Sequence, residues 1–471
     1  MKRLTYLLCF ALGTLTSCGA SVARTAPEPE KAQPPVTPHI PTVRASDETV
    51  QKYFASTLSG QEEALPVSFL SLEDIKKART QVWRLWAEAN KSQSEEKLPA
   101  LTPLSKQSIA HSWLLKPESY NGESFKAVMP FYYGSKGDKP EAGYPLYLYL
   151  HGSGPKEQEW PITLEWALYF ADAPSVYFIP QIPNGVGELY RWWRESKLKA
   201  WEKLLRQAFL SGSIDPKRIY FLGVSEGGYG SQRLASYYPD YLAAAGPMAG
   251  GEPLINAPVE NLQHVAFSLR TGYNDTQFHR SELTGYTRDA LQSMAAQYPG
   301  FYKHFIDIIP KYGHAIPYQH TTPYLSQHVR TPQPKHINWE DYPIDGIYRK
   351  GCYNLAPLDR PKDKERIYYQ ENIMGNTVDL KINTVKYVEK KRASDGIVLL
   401  YNKIYEPAKG GKLRIYLSPE LLDLSKPVRV LVNGQQVYSG MVKADWSHLV
   451  ESCSRFFDPE RLFPAAIDIA Y

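Results

Sequence analysis

Cysteine is scarce, at four in 471 residues, which excludes a scaffold held together by many disulfides, and the spacing of the four suggests no metal site. An excess of one charge is also lacking: 54 Lys and Arg face 49 Asp and Glu, a formal net charge of +5. No surface of the kind nucleic acid requires is therefore expected. No apolar run comes near the ~20 residues needed to cross a bilayer as a helix. The absence of any tandem repeat removes solenoids and propellers. What is present is ordinary: 43% hydrophobic and 22% charged residues, with length enough for two or three cores. No motif asks for a metal or an organic cofactor.

The first residues are set apart from the folded body. Lys2 and Arg3 precede a short apolar stretch, Leu4 to Leu15, the pattern of an export leader. It ends in Leu15-Thr16-Ser17-Cys18, which resembles the lipobox of bacterial lipoproteins. The resemblance implies cleavage after residue 17, a lipid on Cys18, a place in the bacterial cell envelope, outer membrane included, and membrane contact through that anchor alone. Loss of Lys2 and Arg3 lowers the net charge from +5 to +3. Cys9 leaves with the leader, so Cys352 and Cys453 are the cysteines of the folded part; a disulfide and two buried thiols are both open. Residues 18–45, with Ala26-Pro27-Glu28-Pro29 and Pro34-Pro35, cannot bury a core and read as a tether.

Residues 46–120 are expected to be a helical N-terminal segment. Leu72, Ile75, Ala78, Val82, Leu85, Trp86 and Ala89 fall on one face of a helix over 71–90, started by Ser71 and Asp74 and packed on the main domain. From 121 to 332 short apolar runs alternate with helical patterns, the form of a mostly parallel sheet flanked by helices, an α/β class. Tyr144–Leu150, Ser175–Pro180, Arg218–Val224, His264–Arg270 and Lys303–Ile309 read as buried strands. Glu195–Leu210, Ser225–Tyr238 and Ser281–Tyr298 read as helices. Residues 333–471 form a separate β-rich domain, in which Asn433-Gly434 marks a hairpin.

The sharpest motif is Gly223-Val224-Ser225-Glu226-Gly227-Gly228, between a strand and a helix. Gly-x-Ser-x-Gly in that setting makes a tight turn that lifts the serine hydroxyl above the sheet. A serine hydroxyl is a poor nucleophile unless a base takes its proton and backbone N–H groups hold the oxyanion. His314 and Asp275 follow later strands in the order this chemistry uses, Ser then Asp then His. The rival bases are His279, His304 and His320, and the rival acids Asp289 and Asp307. For the oxyanion the candidates are the N–H of Glu226 and that of Ser153 or Gly154, in the turn His151-Gly152-Ser153-Gly154. Trp192, Trp193, Tyr229 and Tyr273 are candidates to line a cleft; Arg191 and Arg194 read as solvated surface, with contact to an acidic substrate as the alternative.

Residues 126–253 resemble the secreted esterases related to poly(3-hydroxybutyrate) depolymerases and to feruloyl and acetyl-xylan esterases, and overlap the prolyl-oligopeptidase-like hydrolases. Leu148-Tyr149-Leu150-His151-Gly152, Ile214 to Tyr220, the Ser225 motif and Tyr238-Pro239-Asp240 carry it. Glu226 departs from the neutral residue or histidine common after the serine. The resemblance implies an α/β-hydrolase fold and a serine hydrolase acting on a small acyl or glycan ester. A prolyl-oligopeptidase-type peptidase and a non-catalytic glycan-binding lipoprotein are the alternatives. Against the first, Ser225 and Asp275 stand only 50 positions apart and no propeller-like repeat precedes them; against the second, all three candidate residues are present.

Overall fold

In the computed structural model, residues 45–61 and 64–471 are described. The expected leader, Cys18 and all of the tether except Ala45 lie outside the described residues. Among the described residues no helix is long and apolar enough to cross a membrane.

Two helices come first, α1 (Asp47–Leu58) and α2 (Ile75–Lys91). An eight-stranded sheet follows: β1 (His111–Tyr120), β2 (Glu123–Lys136), β3 (Tyr144–Leu150), β4 (Ser175–Pro180), β5 (Ile214–Val224), β6 (Ala244–Met248), β7 (Ala266–Gly272) and β8 (His304–Ile309). Its spatial order is β1-β2-β4-β3-β5-β6-β7-β8, with β2 antiparallel to both of its neighbours and all other pairs parallel. This is the α/β-hydrolase fold. Strands such as Tyr144–Leu150 are buried on both faces, which is why they read as continuous apolar runs. Period-two geometry still divides them: Leu146, Leu148 and Leu150 enter one core and Tyr147 and Tyr149 the other. The helices α3 (Lys156–Tyr169), α4 (Glu195–Leu210), α5 (Glu226–Tyr237), α6 (Arg280–Gln297) and α7 (Thr321–Leu325) cover the sheet. Leu204 of α4, Leu234 of α5 and Leu291 of α6 join the first core; Leu164 of α3 and Leu325 of α7 join the second.

The C-terminal region is built from β9 (His336–Asp341), β10 (Leu355–Asp359), β11 (Ile367–Met374), β12 (Thr377–Arg392), β13 (Val398–Pro407), β14 (Lys412–Leu417), β15 (Val428–Val432), β16 (Gln435–Gly440), α8 (Trp446–Phe456) and β17 (Ala465–Ala470). One sheet runs β16-β15-β12-β11-β9 with β13 also on β12, and a second runs β10-β14-β17. This region has its own apolar core. Cys352 and Cys453 are buried free thiols, which closes the alternative of a disulfide.

Two expectations need correction. Residues 46–120 are not wholly helical, because His111–Tyr120 is an edge strand in which Trp113 and Leu115 point inward at alternating positions and Glu118 does so beyond a bulge. And α2 packs chiefly on α1 and α8, not on the main sheet: Val82, Leu85 and Trp86 meet Phe54, Trp446, Leu449 and Val450 in one cluster. Its apolar stripe finds the complementary stripe of a helix near the other end of the chain. Ser71 and Asp74 do bond to each other, Ser71 Oγ donating at 2.7 Å, but in the turn that precedes the helix.

The β-rich region is joined to the α/β layer by a fully buried ionic network. The Asp240 carboxylate, just beyond α5, accepts two hydrogen bonds of 3.0 Å from Arg349 and a further one from Arg461. Asp458 accepts from Arg330 at 2.7 and 3.2 Å and from Arg461 Nε at 2.7 Å. Burial alone would raise the Asp240 carboxyl, but Arg349 and Arg461 overcome that and hold it below its ordinary value. Asp240→Asn leaves two buried guanidinium groups short of a carboxylate and is expected to lower the unfolding free energy by about 3–5 kcal/mol, measured by urea denaturation at neutral pH. The native carboxyl titrates below the unfolded one. The Asp240 contribution is therefore complete above the ordinary carboxylate range, near pH 4, and is lost as pH falls through the lowered value, so the variant should show a shallower acid limb of stability.

Candidate active site

Ser225 lies between β5 and α5 with φ 55° and ψ −114°, a region that L-residues rarely occupy. The conformation is enforced by close backbone packing. A Cβ on Gly223 would fall on the Gly227 carbonyl, and one on Gly227 would fall on the Leu150 carbonyl at the end of β3. The Ser225 N–H donates to the Met248 carbonyl of β6 at 2.9 Å, and the Tyr229 N–H donates to the Ser225 carbonyl at 3.0 Å. The hydroxyl is thus raised at the carboxyl edge of the sheet, where open α/β sheets place ligands.

Asp275 and His314 arrive at the same edge from the loops after β7 and β8. His314 Nε2 lies 2.9 Å from Ser225 Oγ, and His314 Nδ1 lies 2.7 Å from Asp275 Oδ2. With the carboxylate accepting from Nδ1–H, Nε2 is left free to accept the serine proton. The rival candidates are engaged elsewhere: His279 with Asp395 at 3.0 Å, His304 with the Tyr302 carbonyl at 2.7 Å, Asp289 with Arg288 and Asp307 with Arg270. His320 stands in a short 3-10 turn, without a contact to the serine.

A cavity of about 360 Å³ opens beside Ser225. Ser153 and Glu226 line it, so two of the expected oxyanion donors border the serine. As the first residue of α5, Glu226 has an N–H with no acceptor within the helix. Gly154 is not on the cavity; it lies against the Glu159 side chain, and its carbonyl accepts from the Tyr190 hydroxyl at 3.0 Å. Buried His151 supports this loop. Its Nδ1–H donates to the Gly152 carbonyl at 2.7 Å while Nε2 accepts from the Ile182 N–H at 3.0 Å. Burial pushes its pKa down to about 4, which fits that neutral tautomer.

Of the four aromatic candidates, Trp193 and Tyr229 line the cavity. Trp192 does not: it is wholly buried and its indole N–H donates to the His151 carbonyl at 3.1 Å, holding the His151–Gly154 turn from behind. Tyr273 is 64% exposed and is not part of the cavity wall, because its backbone turns it outward between β7 and Asp275. Arg194 pairs with Asp345, as a surface residue would. Arg191 is no solvated surface residue; it lines the cavity and donates to Glu226 at 3.0 Å.

Three features of the site were not anticipated from sequence. The second carboxylate oxygen of Asp275 accepts from Arg280 Nη1 at 2.9 Å, both side chains being almost completely buried. Phe278 and His279 between them are both left-handed, with φ 54° and 58°, and this compact loop swings Arg280 back onto the carboxylate. No periodic pattern reports such a contact. The second feature is charge pairing around the cavity, Arg191 with Glu226 and Arg233 with Glu252. Burial raises the Glu226 carboxyl to about 7 against the pull of Arg191, with Glu252 adding to the rise. Third, Ile397, from the C-terminal region, is part of the cavity wall.

No protein-family model matches this chain, and no curated protein matches it. Solved structures that resemble it include a thermostable esterase, at 20% identity and TM-score 0.36, over 48% of this chain and 64% of that one. A feruloyl esterase module from Clostridium thermocellum is similar at 15% identity and TM-score 0.31, over 50% of this chain and 92% of that one. A fluorophosphonate-binding serine hydrolase from Staphylococcus aureus is similar at 11% identity and TM-score 0.32, over 48% and 99%. The match thus spans under two thirds of the esterase's length. The order of the strands, not these likenesses, carries the fold assignment.

Proposed function

We propose that the chain is a serine hydrolase that cleaves carboxylic esters through an acyl-enzyme, with Ser225 as nucleophile, His314 as base and Asp275 as the acid that orients it. The observation that carries this reading is the unbroken hydrogen-bonded line from Ser225 Oγ through His314 to Asp275, in a turn whose strain exposes the hydroxyl. His314 takes the hydroxyl proton as Oγ attacks the ester carbonyl carbon. The oxyanion is held by the N–H groups of Glu226 and Ser153. The protonated imidazole then gives its proton to the departing alcohol. Water, deprotonated by the same histidine, attacks the acyl-serine and releases the acid.

A cavity of about 360 Å³ suits one small unit, such as an acyl group or a single sugar ring. Its Arg–carboxylate pairs, with buried carboxylates and part-exposed arginines, favour a unit with polar substituents over a plain alkyl chain, which supports a glycan ester as the substrate class. Arg280 has a positioning role: bonded to one carboxylate oxygen, it fixes the orientation of Asp275 and leaves the other oxygen for His314. We also propose that the protein is carried to the bacterial envelope as a lipoprotein anchored through Cys18.

Three outcomes are expected. Protein lacking residues 1–45 hydrolyses nitrophenyl acetate, and Ser225→Ala reduces kcat by at least about 10⁴-fold; an active Ser225→Ala protein ends the reading, and turnover confined to a proline-containing peptide transfers it to amide chemistry. Arg280→Gln lowers kcat about tenfold or more with KM little changed, Arg280→Lys recovers part of the loss, and the same change costs almost nothing in an Asp275→Asn background. A rise in KM alone would make Arg280 a substrate contact instead. Finally, a fatty-acid label fed to cells producing the full chain is incorporated into the wild type and not into Cys18→Ala; equal labelling ends the anchor proposal.

A further inference from the structure

The C-terminal region reaches the active site through a single element. The long strands β12 and β13 pair as a hairpin whose tip is the segment Ala393–Ile397. The tip is closed by the Ala393 N–H on the Ile397 carbonyl at 2.8 Å and by the Ile397 N–H on Asp395 Oδ1 at 3.2 Å. It rests on the first turns of α6, the helix that begins with Arg280. Asp395 meets His279 Nε2 at 3.0 Å, and Lys391 Nζ donates to Glu282 and, at 2.8 Å, to the Tyr286 hydroxyl. These contacts set Ile397 into the lining of the cavity that holds Ser225, a lining to which Phe278 and Leu283 also belong.

We infer that the β12–β13 hairpin is a structural wall of the substrate cavity and that Ile397 is a specificity-determining residue, selecting an ester unit that has one apolar face. The inference rests on the ester-hydrolase reading of the same site. Ion-paired arginines and carboxylates (Arg191, Glu226, Arg233, Glu252 and Arg280) supply the charged part of the lining, whereas the Ile397 side chain, with no polar atom, contributes only contact area and the exclusion of water. With Phe278 and Leu283 it adds aliphatic and aromatic surface to a lining that also carries charged pairs, which fits a ring or short chain with polar groups along one edge. The anchoring pairs of the hairpin are partly exposed and individually weak, so the wall is held by several small interactions together. The C-terminal region would thereby take a direct part in substrate choice.

The test compares kcat/KM ratios of a large and a small ester within two series: nitrophenyl benzoate against nitrophenyl acetate for the acyl side, and phenyl acetate against ethyl acetate for the alcohol side. Dividing each variant's ratio by that of the wild type removes the intrinsic reactivity of the esters. In Ile397→Asp the ratio is expected to fall about tenfold in one series, and in Ile397→Ala by a smaller factor. The double variant Lys391→Ala/Asp395→Asn, which unfastens the hairpin without touching the cavity, should move the same ratio in the same direction. Ratios within twofold of wild type in both series for all three variants overturn the inference. If the wild type itself turns over no ester, the Ser225 reading fails first.

Discussion

The site depends on backbone pressed against backbone. The turn from Gly223 to Gly228 sits so close to the ends of β3 and β6 that its glycines touch the Leu150 and Met248 carbonyls, and Ser225 alone in it carries a side chain able to react. A left-handed serine costs ~1–3 kcal/mol on its own and persists only where the surroundings over-determine it. Here those surroundings are parallel strands buried on both faces. The sheet therefore fixes the hydroxyl first. The loops after β7 and β8, which emerge at the same edge, have only to present a carboxylate and an imidazole to a point already set.

Around that point the charges are arranged in pairs whose partners come from different elements: Arg191 from the loop before α4 with Glu226 of α5, Arg233 of α5 with Glu252 beyond β6, Arg280 of α6 with Asp275. Paired in this way, guanidinium groups do not swing, and the site presents fixed dipoles without reorganisation at the moment of reaction. The pairing also explains the aromatic residues. Two guanidinium groups lie over the Trp193 ring, at 3.9 and 5.9 Å from its centre, and Arg280 lies over Tyr229 at 5.6 Å. These rings therefore serve as supports for arginines as much as a floor for a ligand.

Sequence made the central layer readable because two-sided burial leaves continuous apolar runs: Tyr144–Leu150 and Ser175–Pro180 have the expected ends. It was readable at the Ser225 turn because a steric requirement wrote glycine at fixed places. The strand Ala244–Met248 was missed, since Ala-Ala-Gly-Pro-Met has no β-branched or aromatic residue and owes its place to neighbours on both sides. The edge strand His111–Tyr120 was hidden because its alternation is broken, with Leu114 exposed, Glu118 buried and a proline and a bulge between Leu115 and Glu118. Trp192 and Trp193, adjacent in a turn before α4, divide between core and cavity, a division that carries no periodic pattern to read. Arg280 gave no signal at all, because two left-handed residues place it.

Two of the attachments of the C-terminal region, the Asp240 network and the hairpin tip, differ in kind, and the difference follows from burial. At Asp240 the contact is made of charges with no access to water; separating it would strand uncompensated ions, so that end is fixed. At the hairpin the pairs His279–Asp395 and Lys391–Glu282 keep much of their hydration, and separating either costs little. An element clamped at one end and lightly fastened at the other transmits its position to the cavity through the stiffness of its strands, here the ladder that pairs β12 with β11, β13 and β15. The rigid end sets where the hairpin lies. The light end leaves its last residues able to adjust to what the cavity contains, so the same appendage can shape the site without locking it.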